Sequence, residues 1–183
     1  MSDTTKPSTP TKFKAGRTFS MAAQLKKGKA AEKDFMERYG MSALDRTDGR
    51  KGDFRIKWSR AVLELKADFY DSKNLFIERW SVMPTDERPE GKAGGPWQSA
   101  ANGTAYFVYW MTMQDELFVF EPSKLAAYID TCGKKFRTVH VRNKGYTTMG
   151  YVVPQDLFKV SADCADKGIY LGNSLDKILL FTP

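Results

Sequence analysis

The chain has 183 residues, and its 42% hydrophobic and 13% aromatic content is too high for a globally disordered protein and fits a single domain. Lys and Arg outnumber Asp and Glu by 29 to 22. The resulting charge of +7 suits a polyanion such as nucleic acid, although a basic surface with no such partner would look the same. His140 is the one histidine, which excludes a His-rich metal site, so any divalent ion must be held by oxygen ligands of the kind that Mg²⁺ or Mn²⁺ prefers.

Neither a membrane span nor a secretory signal is expected from the sequence. No apolar run approaches the roughly 18 residues that a spanning helix needs, and the first residues lack the apolar core of a signal peptide. Cys132 and Cys164 are typical of a reduced intracellular protein, although one disulfide remains open. We expect a cytoplasmic protein.

The N-terminal part of the chain divides into a tail and a helix. Residues 1–18, rich in Pro, Ser, Thr and Lys, predict a flexible basic tail, and 19–183 a single domain. The segment from Gly28 predicts a helix that stops near Gly40. Glu32 shares the face of its apolar stripe and therefore needs a partner or a task there, unless it reaches solvent from the edge of the stripe.

Strands dominate the middle of the chain. Alternation predicts strands in "DFRIKW" and "AVLELKA", joined by a turn at Ser59-Arg60, and then in "NLFIERW". Beyond a Pro- and Gly-rich loop, "WQSAANG" predicts a short helix, "TAYFVYWMTM" and "DELFVFEP" a hairpin, and "SKLAAYIDTC" a helix opened by Ser123. "FRTVHVR" is strand-like, and "VPQDLFKVSA" could be a short helix. Helices on both sides of central strands predict an α/β or α+β fold.

The turn at Ser59-Arg60 predicts which side chains meet. A two-residue turn pairs Arg55 with Glu64 and brings Asp53 opposite Lys66. Asp53 and Glu64 are then diagonal neighbours on one face, roughly 7 Å apart at the backbone, and one divalent cation could bridge them.

This arrangement is suited to phosphodiester hydrolysis. A bound ion would polarise a phosphoryl oxygen and acidify water, with the Leu65 carbonyl as a further ligand. Lys66 could orient the water or offset charge in the transition state. The alternative is an exposed Glu64–Lys66 ion pair that needs no metal. Asp68 shares the face by parity but lies farther along the strand, and we leave it out of the site.

Asp53 followed by Glu64-Leu65-Lys66, behind a helix that carries Glu32, resembles the PD-(D/E)XK nuclease superfamily over residues 28–112, with Gly52 where its motif has proline. More narrowly, "ELKADFYDSKNLFIERWS", "GGPWQSA" and "YFVYW" resemble small phage-encoded nucleases, some of them described as Holliday junction resolvases.

The resemblance implies a restriction-endonuclease-like core and assigns roles within it. It implies that Asp53 and Glu64 bind Mg²⁺ or Mn²⁺, that Lys66 is the catalytic lysine, and that Glu32 reaches the metal directly or through water. Gln98 would lie near the scissile phosphate. Asn102, four residues later, stands where the exonuclease branch typically has tyrosine.

The function implied is a metal-dependent deoxyribonuclease of phage origin, acting in the bacterial cytoplasm and leaving a 5′-phosphate. Branched DNA is the leading substrate, and a homodimer is possible. A second hypothesis is a catalytically silent DNA-binding or host-takeover protein on the same fold, and a third is a nuclease for RNA.

Basic residues around these positions are candidate nucleic-acid contacts. They are Arg50, Lys51, Arg55 and Lys57, which flank Asp53, and Lys92 in the Gly-rich loop before the Gln98 helix. A solvated strand face and a flexible loop would look the same. Asn74, Glu78 and Arg79 could shape the rim of the site or belong to a third core strand.

Overall fold

The computed structural model describes residues 21–40, 42–48, 52–160 and 168–179. The expected tail at 1–18 lies outside these ranges, as do Arg50, Lys51 and Cys164. The described helices are α1 (Met21–Phe35), α2 (Gly95–Ala101), α3 (Pro122–Cys132), α4 (Asp156–Val160) and α5 (Asp176–Leu179). A π-helical turn, Met36–Gly40, extends α1, and a 3-10 turn, Gly133–Lys135, extends α3.

The strands form two sheets. They are β1 (Leu44–Arg46), β2 (Phe54–Ile56), β3 (Val62–Asp68), β4 (Asn74–Val82), β5 (Lys92–Ala93), β6 (Tyr106–Met111), β7 (Glu116–Phe120), β8 (Arg137–Asn143), β9 (Tyr146–Pro154) and β10 (Tyr170–Gly172). The six-stranded main sheet has the order β1-β2-β3-β6-β7-β10, with β3 and β6 parallel and the other neighbours antiparallel. The four-stranded second sheet, β5-β4-β9-β8, is antiparallel. The fold is α+β, as predicted.

Two hydrophobic cores cover the two faces of the main sheet. One core packs the main sheet against the second sheet and α3, through residues such as Phe107, Tyr109 and Ile129. The other packs it against α1 and α5, through residues such as Phe35 and Trp110. Strands β6 and β7 are continuous apolar runs because both of their faces are buried.

Strand β3 differs from its neighbour β6 because only one of its faces is apolar. Leu63 is buried in the core beneath α1, and Leu65 packs against that core. Glu64 and Lys66 are on the opposite face, level with Phe107 and Tyr109 of β6. The second sheet covers those two aromatic side chains. The second sheet does not extend over the neighbouring strand β3, so Glu64 and Lys66 lie at its edge.

The predicted register of the β2–β3 hairpin was wrong by two residues. Arg55 pairs with Val62 rather than with Glu64, so Asp53, one residue before β2, comes beside Leu63 and Glu64 rather than opposite Lys66. Because side chains on a strand alternate with a period of two, this shift leaves every residue on its predicted face. The carboxylates of Asp53 and Glu64 are therefore neighbours.

The physical reason is a longer turn. The chain reverses over residues 57–60, closed by the Ile56 N–H, which donates to the Ala61 carbonyl at 2.8 Å. Arg60 adopts a left-handed conformation, with φ of 61°. Sequence reasoning assumed the shortest turn that Ser59-Arg60 could make and did not anticipate this conformation at an arginine.

Three other expectations also need correction. Helix α1 extends back at least to Met21, so Gly28 lies within it, while its predicted end at Gly40 is confirmed. Helix α3 begins at Pro122, and its cap is the carboxylate of Glu121, which accepts the Ser123 N–H at 3.1 Å. Of the two alternatives for Asn74, Glu78 and Arg79, a third core strand is excluded, while Asn74 lines a cleft and Glu78 the smaller pocket beside it. Their strand, β4, belongs to the second sheet, and the short β1, which lacks a recognisable pattern, takes the place of the third core strand.

No helix within the described ranges is both long and apolar enough to cross a membrane.

One buried tyrosine joins the two sheets. The Tyr109 hydroxyl, on β6, donates to the Asp68 carboxylate at the end of β3. The Tyr109 hydroxyl oxygen also accepts a hydrogen bond from the Phe76 N–H of β4 at 2.9 Å. Burial and the neighbouring Asp68 raise the pKa of Tyr109, which keeps the hydroxyl protonated and able to donate. This bridge holds the second sheet beside the charged face of β3.

We expect Tyr109→Phe to lower the free energy of unfolding by roughly 1–3 kcal/mol, because a buried carboxylate loses its donor and the Phe76 N–H loses its acceptor. Urea denaturation measures this change. Tyr106→Phe, on the same strand, is the matched control and should have a smaller effect. Equal effects from the two substitutions would contradict the bridge.

Candidate active site

A cleft of about 810 Å³ separates α1 and β3 from the second sheet. Its walls include Glu32 from α1, Asp53 from the start of β2, and Glu64 and Lys66 from β3. The structure therefore brings together the acids and the lysine that the sequence singled out.

Asp53 is held against β3 by two hydrogen bonds. Its backbone N–H donates to the Leu63 carbonyl at 3.0 Å, and its carboxylate Oδ2 accepts the Leu65 N–H at 2.8 Å. The second bond orients the carboxylate toward the strand that carries Glu64. Asp53 is thus positioned by backbone groups of β3, which do not depend on flexible side chains.

Gly52 makes this close approach possible. Its φ of 156° lies outside the range that residues with a side chain readily adopt. A Cβ at this position would lie 2.6 Å from Cγ1 of Val62 and 2.9 Å from the Leu63 carbonyl oxygen. Glycine at this position therefore has a steric explanation.

Glu32 enters the site from α1. Ala31 and Phe35 anchor the adjacent face of the helix in the core, which directs Gln24, Gly28 and Glu32 toward the cleft. The Glu32 carboxylate accepts a hydrogen bond from the Arg46 guanidinium, on β1. Sequence reasoning missed Arg46 because β1 has no periodic pattern that would place it beside α1.

The three carboxylates repel one another in a half-buried setting. Burial is the largest cause that raises the pKa of Glu64 to about 7, followed by the charges of Asp53 and Glu32, while Lys66 acts in the opposite direction. Burial likewise raises the pKa of Asp53 to about 6, and the charge of Glu32 raises it further. The hydrogen bond from the Leu65 N–H and the charge of Arg46 act in the opposite direction. Positive charge between these groups would relieve the repulsion.

The donor set fits a hard divalent cation that is bound only in part by protein. Among the described residues, no three or more His, Cys, Asp or Glu side chains form a ready metal cage. Magnesium needs no such cage, because it commonly takes one or two protein carboxylates and completes its shell with water and substrate phosphate. Asp53 and Glu64 supply those two carboxylates, with Glu32 beside them.

Lys66 also faces a second, smaller pocket of about 240 Å³ on the other side of Glu64. Gln98 of α2 and Lys92 of β5 line this pocket. The Gln98 amide Nε2 donates to the Asn102 side-chain oxygen at 2.9 Å. The structure therefore brings Gln98 and Lys92 close to Glu64 and Lys66, but on the opposite flank from Glu32.

The remaining candidates lie farther from the carboxylates. Arg55 is half-buried on β2, on the face of Asp53, but does not line the cleft. Lys57 lies in the exposed turn, where its ammonium is 3.9 Å from the Asp45 carboxylate. Leu65 lines both pockets, and its side chain packs against the core.

Sequence reasoning missed most of the far wall of the cleft. Asp68, set aside from the sequence, lines the cleft with Phe69 and Tyr70, and the second sheet contributes Arg137 and Val139. The alternation of β8 placed Arg137 and Val139 on one face of a strand. Nothing in the sequence indicated that this face would lie opposite β3.

No family model, curated relative or solved structure matches this chain.

Without divalent ions, we expect stability to fall between about pH 4.5 and pH 7. The unfolded Glu64 ionises near its ordinary pKa of 4.5, whereas the folded carboxyl keeps its proton up to about pH 7, so rising pH favours unfolding across this window. At pH 8 in EDTA, Glu64→Gln should raise the melting temperature by roughly 2–6 °C. Thermal unfolding followed by circular dichroism measures both effects.

The same melts test the metal site. Mg²⁺ should raise the melting temperature of the wild type, because it binds the folded carboxylates, and should have little effect on Glu64→Gln. Glu37→Gln, at an exposed carboxylate beyond α1, should behave as the wild type does. Equal responses to Mg²⁺ from all three proteins would contradict a site at Glu64.

Proposed function

We propose that the protein is a Mg²⁺- or Mn²⁺-dependent deoxyribonuclease with a restriction-endonuclease-like core. The observation that carries the proposal is the convergence of Asp53, held against β3, and Glu64 of β3, with Lys66 two residues further along and Glu32 beside them in an open cleft. An exposed ion pair would need only Glu64 and Lys66. It would not gather two more carboxylates against their mutual repulsion.

The order of elements adds support. The chain runs from a helix through three antiparallel strands and a helix to a strand parallel to β3, which is the order implied by the resemblance to PD-(D/E)XK nucleases. The second sheet is inserted between the third strand and the second helix and continues after the core. The choice of DNA, and of branched DNA within it, rests on that resemblance.

Each residue has a defined task in this proposal. Asp53 and Glu64 would hold the cation, and Glu32, beside them in the cleft, would bind it directly or through water. When bound, the ion supplies positive charge at the phosphoryl oxygens and acidifies water. The Lys66 ammonium is held beside Glu64, where it neutralises charge on the phosphate in the transition state or orients the attacking water.

Groups on the flanks position the strand. Gln98 and Lys92 border the pocket on the far side of Lys66 and offer an amide and an ammonium to backbone phosphates. Arg55, on the face of Asp53, extends the positive surface. The charge of +7 favours a polyanion and predicts binding that weakens as salt rises.

Cleavage assays test the proposal. We expect Mg²⁺- or Mn²⁺-dependent cutting of DNA that EDTA abolishes. Lys66→Ala should lower the rate by roughly 10²–10³-fold, and Glu64→Ala by at least as much, since each removes charge stabilisation that cannot be replaced. Lys134→Ala, at an exposed lysine beyond α3, should keep the wild-type rate.

The substrates should be plasmid, linear single-stranded, four-way-junction DNA and RNA. Preferred cutting of the junction supports the branched-DNA assignment. Cutting that survives both Glu64→Ala and Lys66→Ala would overturn the site. If nothing is cut but DNA binding weakens steeply with salt, the protein is a catalytically silent binder.

A further inference from the structure

Two consecutive aromatic side chains are exposed beside the candidate active site. Phe69 is 42% and Tyr70 65% exposed, and both line the cleft that contains Asp53 and Glu64. The other large hydrophobic side chains exposed in the described ranges, Leu25, Trp58 and Met113, do not line it.

The turn that carries these aromatic side chains is fixed through Asp68. The Asp68 carboxylate accepts the Tyr70 N–H at 2.9 Å and also the Tyr109 hydroxyl. The Asp68 carbonyl accepts both the N–H and the hydroxyl of Thr112, at 2.9 and 2.8 Å. The backbone that carries the exposed rings is therefore held in place by hydrogen bonds. A ligand that stacks on the rings does not pay the entropic cost of ordering a loop.

The surroundings of the rings favour a ligand that is flat, apolar on its faces and anionic elsewhere. Across the cleft, Val139, Val141 and Val152 of the second sheet present an apolar wall. Positive charge lies close by, since the Lys27 ammonium is 5.9 Å from the centre of the Phe69 ring and Arg137 lines the cleft. A nucleotide has this combination of a stacking base and a phosphate.

The position of the rings just beyond β3 relates them to the hydrolytic groups. Phe69 and Tyr70 follow Lys66 by three and four residues, which puts them within roughly 13 Å of it, the length of four residues of extended chain. The volume of the cleft, about 810 Å³, falls within the ~300–1,000 Å³ range of pockets that enclose small molecules. These dimensions suit one or two nucleotides next to the phosphate being cut.

We propose that Phe69 and Tyr70 form a stacking site for the bases of single-stranded DNA, so that the strand at the active site is unpaired where it crosses this part of the cleft. The inference deepens the proposed nuclease function and names the conformation of its substrate. Stacking on aromatic rings tolerates any base sequence, because every base offers a π-face.

Binding in EDTA tests the stacking site separately from cleavage. The probes are a fluorescent oligo(dT), an oligo(rU) and an abasic strand of the same length, and a duplex of that length, each followed by anisotropy. We expect oligo(dT) to bind the wild type more tightly than the abasic strand does. Phe69→Leu/Tyr70→Leu should weaken oligo(dT) binding about tenfold or more and leave abasic and duplex binding unchanged.

Trp58→Leu is the matched control, because Trp58 is an aromatic side chain 37% exposed in the β2–β3 turn, outside the cleft. It should bind oligo(dT) as the wild type does. Thermal melts verify that the double variant is folded, which is expected since both substituted rings are exposed.

Three results would overturn the inference: equal binding of oligo(dT) and the abasic strand, unchanged oligo(dT) binding by the double variant, or tighter binding of oligo(rU) than of oligo(dT). The failures are distinguishable. Base-dependent binding without cleavage in Mg²⁺ would support the stacking site and contradict the nuclease activity. Cleavage that requires Glu64 but not Phe69 or Tyr70 would support the nuclease activity and contradict the stacking site.

Discussion

The charged face of β3 is the constraint on which the rest of the structure depends. Leu63 on one face is buried under α1, but Glu64 and Lys66 on the other cannot be buried without a large desolvation cost. The second sheet can therefore cover Phe107 and Tyr109 on β6 and must stop before β3. The cleft is the consequence of this incomplete cover.

The site concentrates unfavourable charge that folding alone does not require. Asp53 and Glu64 are half-buried neighbours, and backbone hydrogen bonds prevent Asp53 from turning away. Such an arrangement costs stability, and positive charge near the carboxylates would relieve that cost. Asp68, on the same face, has a structural task instead, because it joins the two sheets through Tyr109 and anchors the turn that follows.

Much of the fold could be predicted because the local patterns were strong. The apolar runs of β6 and β7 and the stop of the first helix at Gly40 are encoded within short segments, and the structure has them. The elements that were missed carry weak local signals. Strand β1 has three residues and no alternation, and β4 reads as a strand without revealing which sheet it joins. The predicted register of the hairpin was wrong because Arg60 adopts a left-handed conformation that the sequence does not indicate.

The sequence by itself determined which residues share a face, because the period of two in a strand survives a register error of two residues. Asp53, Glu64 and Lys66 could therefore be grouped from the sequence alone. Only the tertiary structure decided that the Asp53 carboxylate bonds to the Leu65 N–H beside Glu64, that Arg46 meets Glu32, and that the second sheet forms the far wall of the cleft. These contacts join segments distant in the chain, and they are set by how the sheets and α1 pack, which no local pattern encodes.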